Sequence, residues 1–79
     1  MVESIVLVEG QAEQGVDEDA LRTISLANAK PLVVGPVPGG AVVLHLAANT
    51  LDDLQKALLE VAQLPGVGEL LTLTIRTVQ

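Results

Sequence analysis

The chain has 79 residues, no Cys, a single His and no Phe, Tyr or Trp. One small domain of this length buries only roughly 60% of its unfolded surface. With no disulfide available and too few soft ligands for a structural metal, a partner chain is the expected source of extra stability. Its 4 basic residues are scattered among 10 acidic ones, for a formal net charge of -6. That balance excludes a phosphate-reading stripe and an anionic membrane surface as direct partners, and the missing aromatics exclude base-stacking platforms.

The first predicted element is a strand over Val2 to Glu9, in which Ile5, Val6, Leu7 and Val8 form an unbroken apolar run closed by Gly10. The run is far too short to cross a membrane and is flanked by Glu3 and Glu9, not by a basic leader, so the expected setting is cytoplasmic. Gly10 to Gly15 reads as a loop. Asp17 is a helix N-cap, with Glu18 and Asp19 in the first turn, where carboxylates suit the macrodipole. Val16 and Leu21 form its hydrophobic staple, and the helix is expected to stop near Ser25. Lys30 to Val37 is a second strand, and Pro31 places it at a sheet edge. Pro38-Gly39 has the composition of a type II turn, leading to a third strand over Ala41 to Ala48. A second helix starts after Thr50, with Asp53 placed as in a capping box. Its stripe is Leu51, Leu54, Ala57, Leu58, Val61 and Ala62, and Pro65-Gly66 ends it. Glu69 to Val78 is the last strand.

The order is βαββαβ in a single domain spanning residues 1–79. It predicts an α+β, ferredoxin-like fold: a four-stranded antiparallel sheet with two helices on one face. Strand alternation and side-chain size assign Ile5, Leu7, Val42, Leu44, Leu46, Leu71, Leu73 and Ile75 to the helix side. The other face then carries Val6, Val8, Val43, His45, Leu70, Thr72, Thr74 and Arg76. A face this apolar is an interaction surface more often than a wet one. Val6, Val8, Val43, His45 and Thr74 are therefore the predicted contact residues of a sheet-packed homodimer or higher homo-oligomer.

The stretch VVGPVPGGAVVLHLAANTLDDLQKALLEVAQLPGVGELLTLTI, from about Leu32 to Ile75, is similar to the RAM domain of Lrp/AsnC-type regulators. Gly35 and Pro36 match the family's strand-end Gly and its neighbour, and Thr50 to Leu54 match the start of its helix. Leu64-Pro65-Gly66-Val67 matches its most specific segment, with Thr72 at the following threonine. Where the family has an aromatic and an Asp after the Gly, this chain has Pro36-Val37-Pro38-Gly39-Gly40, and Leu70 replaces an earlier threonine. The resemblance implies a stand-alone RAM module. It implies a sheet-packed dimer, dimers assembled into rings, and a small effector, typically an amino acid, held between dimers.

No local motif supplies catalysis. His45 lies between Leu44 and Leu46 with no Ser, Cys or Asp placed to work with it. Asp17-Glu18-Asp19 and Asp52-Asp53 compensate helix dipoles, and the first group lacks the spacing of a calcium loop. Gly35 to Gly40 has no phosphate-loop pattern. The amides near Asn49 and Thr50 would suit a ligand carboxylate. With the Thr72 hydroxyl, Asp52 for an ammonium group, and Gly35 and Pro36 from an adjacent dimer, they make up the expected effector site. The reading is a non-enzymatic, cofactor-free effector-binding module, acting on transcription through a partner and not by direct nucleic-acid contact. An amino-acid sensor of the ACT type and a small dimeric α/β-barrel enzyme share the topology and stand as alternatives. The enzyme reading wants a polar or aromatic-lined cavity between helices and sheet, where this chain offers Leu, Val and Ile. A cavity with His45 facing in would favour it.

Overall fold

The computed structural model describes residues 1–11 and 15–78; Ala12, Glu13 and Gln14 of the expected first loop, and Gln79, lie outside the described residues. The elements are β1 (Val2–Gly10), α1 (Glu18–Thr23), β2 (Ala29–Pro36), β3 (Val42–Ala48), α2 (Leu51–Ala62) and β4 (Val67–Thr77). All pairings are antiparallel and the strand order is β2-β3-β1-β4, the ferredoxin-like α+β arrangement that the element order predicts. Among the described residues no helix is long and apolar enough to cross a membrane.

Local chemistry fixes most boundaries. The Asp17 carboxylate accepts the Ala20 amide at 3.2 Å, and Arg22 pairs with Glu18 one turn back at 2.7 Å. The helix is only 6 residues long, two shorter than expected. It ends where Ile24 turns extended, and the Thr23 hydroxyl of the last turn donates back to the Asp19 carbonyl at 2.9 Å. A helix this short is unstable alone and is held by Leu21, which is buried in the core. β2 is an edge strand, as Pro31 requires. In the hairpin turn, Gly39 has φ 101° and the Gly40 amide donates to the Val37 carbonyl at 3.3 Å, a type II geometry open to Gly at that position. The same Pro-Gly device recurs after α2, where Gly66 has φ 84° and Val67 donates to Leu64 at 3.2 Å.

The core lies between the helices and one side of the sheet. Val2, Val6 and Val8 of β1 and Val42, Leu44, Leu46 and Ala48 of β3 meet Leu21 of α1 and Leu54, Ala57 and Val61 of α2. Ser4 is the one buried polar side chain among the described residues, and its hydroxyl donates to the Thr74 carbonyl at 2.8 Å.

This corrects the phase expected for β1. Val6 and Val8, assigned to the dimer face, are fully buried against the helices, and Ile5 and Leu7 point the other way. Side-chain size misled: an apolar run on both faces cannot be phased by bulk. β4 also departs from strict alternation. Its register against β1 slips by one residue, so that Ile5 faces Thr74 while Val6 faces Thr72, leaving Leu73 as the extra residue of a bulge. Leu71 is consequently on the outer face with Leu7, and Ile75 is on the helix side with Ser4. Leu70 and Thr72, assigned outward, lie on the helix side opposite Val8 and Val6.

Candidate functional site: the uncovered face of the sheet

The outer face is built from cross-strand rows, because residues paired across an antiparallel ladder share a face. One row runs Leu32, His45, Ile5, Thr74 from β2 to β4; the next runs Gly35, Val43, Leu7, Leu71. Both helices are on the opposite side, so these rows have no cover within the chain. Leu32 is 63% exposed and Leu71 49%. Charge is confined to the two ends of this face. Lys30, Glu3 and Arg76 form one end row with Ala47, and Glu9 and Glu69 oppose each other at the other end. The acids of the helix starts, Asp17, Glu18, Asp19, Asp52 and Asp53, belong to the helix side. The centre of the open face is thus uncharged in a chain of net charge -6.

At the charged end, the Arg76 guanidinium holds one oxygen of Glu3 through Nε at 3.1 Å and Nη2 at 3.0 Å. His45 Nε2 stands 3.9 Å from the same oxygen. A surface groove of about 330 Å³ is lined by Glu3, Ser4, Ile5, His45, Thr74 and Arg76. The pair is wet on the Arg76 side, which is 74% exposed, so its Coulomb energy is small. Among the described residues no three His, Asp or Glu side chains converge as metal ligands.

Of the predicted contact residues, Val43, His45 and Thr74 lie on the open face, while Val6 and Val8 do not. The sequence reading missed Ile5, Leu7, Leu71 and Leu32. Glu3 and Glu9 carried the needed signal, since they share the phase of Ile5 and Leu7 and cannot occupy an apolar core.

The predicted effector residues are not brought together in one chain. Asn49 and Thr50 follow the end of β3, whereas Gly35 and Pro36 sit opposite Val43 and Val42 at its start. Thr72 faces Val6 in mid-sheet; the Val2 row, where β3 ends, lies four residues along β1, or ~13 Å. Thr50 Oγ1 is engaged by the Asp53 amide at 3.1 Å, and Asp52 faces Lys56 at 3.4 Å. A depression of about 450 Å³ at this end of the sheet is lined by Met1, Leu26, Asn28, Lys30 and Asn49 among others. Asn49 is the only predicted effector residue that reaches it.

Compared with protein-family models, curated proteins and solved structures, the chain matches none.

Proposed function

We propose that the chain is a non-enzymatic oligomerisation and effector-response module whose copies pack their open sheet faces together. The observation that carries this reading is the pair of uncovered, largely apolar rows in the middle of the open face, with charged side chains only in the rows at its two ends. A second copy presents the same uncharged centre, so two chains of like net charge can meet there without burying like charges. The non-enzymatic reading is supported by His45. It lies on the open face, not in a cavity between sheet and helices, and its nearest carboxylate oxygen is already held by Arg76.

In this reading a small effector, of which a free amino acid is the class the sequence resemblance suggests, binds where dimers meet. The resemblance to RAM domains makes this a module that modulates transcription through a separate DNA-reading partner. Assembly of dimers would have to bring Gly35 and Pro36 of one copy to the Asn49–Asp52 segment of another, since one chain holds them at opposite ends of β3.

Sedimentation of wild type and Val43→Glu tests the packing. A carboxylate forced into the centre of a dry interface costs several kcal/mol, on the order of a hundredfold or more in Kd. A wild-type monomer at micromolar concentration, or an unaffected Val43→Glu dimer, overturns the reading. The effector role is tested by melting curves with each of the twenty amino acids at millimolar concentration, using wild type, Asp52→Ala and Lys56→Ala. A shift lost in Asp52→Ala but kept in Lys56→Ala supports it, and no shift with any of them refutes it.

A further inference from the structure

The two edges of the sheet are built differently. β2 carries Lys30, Pro31 and Pro36 and a register slip at Val34, the devices that keep an edge from pairing with another strand. β4 also has a register slip, at Leu73, but it carries neither Pro nor charge over Leu70-Leu71-Thr72-Leu73-Thr74-Ile75, a segment of high β-propensity that among the described residues pairs with β1 on one side only. We infer that the free edge of β4 is an assembly edge, occupied by β4 of a second copy running antiparallel across a two-fold axis. The inference rests on the strand edge and is independent of how the open faces pack.

The register follows from charge. Glu69 and Arg76 both lie on the outer face, opposite Glu9 and Glu3 of β1. Setting Glu69 against the second copy's Arg76 creates two identical opposite-charge pairs, related by the two-fold axis. It also places a cation beside Glu69, whose present cross-strand neighbour is another carboxylate, Glu9. The same register sets Leu70 against the second copy's Ile75, and both lie on the helix side, opposite Val8 and Ser4. It sets Leu71 against Thr74, both on the outer face. In a regular strand, residues an odd number apart point to opposite faces, and this matching would fail. The bulge at Leu73 changes the parity and makes it possible.

The helix side offers a seat for the incoming side chain. Ile75 is 53% exposed, because the helices do not reach past β4. Beside Leu70 is an apolar cavity of about 400 Å³ lined by Gln55, Leu58, Leu59 and Ala62. In the paired edge, the second copy's Ile75 stands next to Leu70 at the mouth of this cavity. Leu59, 65% exposed, gains a neighbour.

The test uses the absence of Cys from the sequence. Leu70→Cys and Ile75→Cys chains are refolded together and oxidised gently. Directly opposed Cα atoms lie roughly 4.5–5.5 Å apart, within disulfide reach, so a mixed disulfide between the two variants is expected. Neither variant alone should cross-link, since position 70 is about five residues, roughly 17 Å, from its own copy. Face-to-face packing cannot produce this bond, because both positions point away from the open face. Sedimentation separates the two interfaces. Ile75→Glu should remove the edge contact and leave any face contact; Val43→Glu should do the reverse. A mixed disulfide with an unchanged mass for Val43→Glu would leave the edge standing and remove face packing. No mixed disulfide, together with an unchanged mass for Ile75→Glu, overturns the edge.

Discussion

Replacing Ser4 with Ala removes one oxygen from the core and tests what holds the β4 bulge in place. Ser4 is 1% exposed and its hydroxyl donates to the Thr74 carbonyl at 2.8 Å, one residue past the bulged Leu73. A neutral hydrogen bond contributes about 1 kcal/mol net, and a buried acceptor left without a donor raises the loss to roughly 1–3 kcal/mol. The void left by one oxygen is small, so the cavity contribution adds little. At roughly 4–8 °C per kcal/mol for a domain of this size, a mid-range loss lowers Tm by about 10 °C. Thermal and urea unfolding of wild type and Ser4→Ala must be compared at matched protein concentration, because association shifts both transitions. The carbonyl carbon resonance of Thr74 should also move, as a packing defect elsewhere would not require. A loss below about 0.3 kcal/mol, with the Thr74 resonance unmoved, would refute the assignment of this bond as the one that fixes the bulge.

Leu54→Ala, at a fully buried position of α2, should cost about 2–5 kcal/mol in urea unfolding. Thr50→Ala should cost about 1 kcal/mol by freeing the Asp53 amide. Removing the Lys56–Asp52 pair with Lys56→Ala should stay within about 0.5 kcal/mol, since both groups are largely exposed. Gly68→Ala should destabilise by about 1–3 kcal/mol in the same assay, because the new methyl would lie 3.0 Å from the Gly10 carbonyl oxygen. In gel-shift assays at low salt the isolated chain should leave duplex DNA unshifted; salt-sensitive micromolar binding would contradict the charge argument.

Whatever was written in short-range chemistry could be read from the sequence. The caps at Asp17 and Thr50, the turns at Pro38-Gly39 and Pro65-Gly66 and the edge signal of Pro31 each depend on residues a few positions apart. They fixed the element order, and the element order fixes the strand arrangement. Boundaries moved where the backbone left the helical pattern early, as at Ile24, which turns extended and ends α1 at Thr23. β4 begins at Val67, before the expected Glu69, because a second register slip at Gly68 lets the strand continue past the turn.

The faces were harder to read, for two separate physical reasons. In β1 the apolar run is continuous, so bulk gives no phase, and only Glu3 and Glu9 mark which residues look outward. In β4 the alternation of Leu71, Leu73 and Ile75 looks like one apolar face, yet these residues do not share a face. Nothing near Leu73 in sequence announces a bulge: there is no Gly, and the bond beside it comes from Ser4, 70 residues away. A bulge fixed by a tertiary contact escapes any period-based reading, because the period is broken by something outside the window. The same slip puts Glu69 and Arg76 on one side of the sheet and sends Ile75 to the other, beside the row of Ser4. Should Ser4→Ala prove that this bond fixes the bulge, a single buried hydroxyl in the first strand would bear on which residues of the last strand can meet another molecule. The link from sequence to interaction surface passes through the fold and cannot be shortened to local pattern alone.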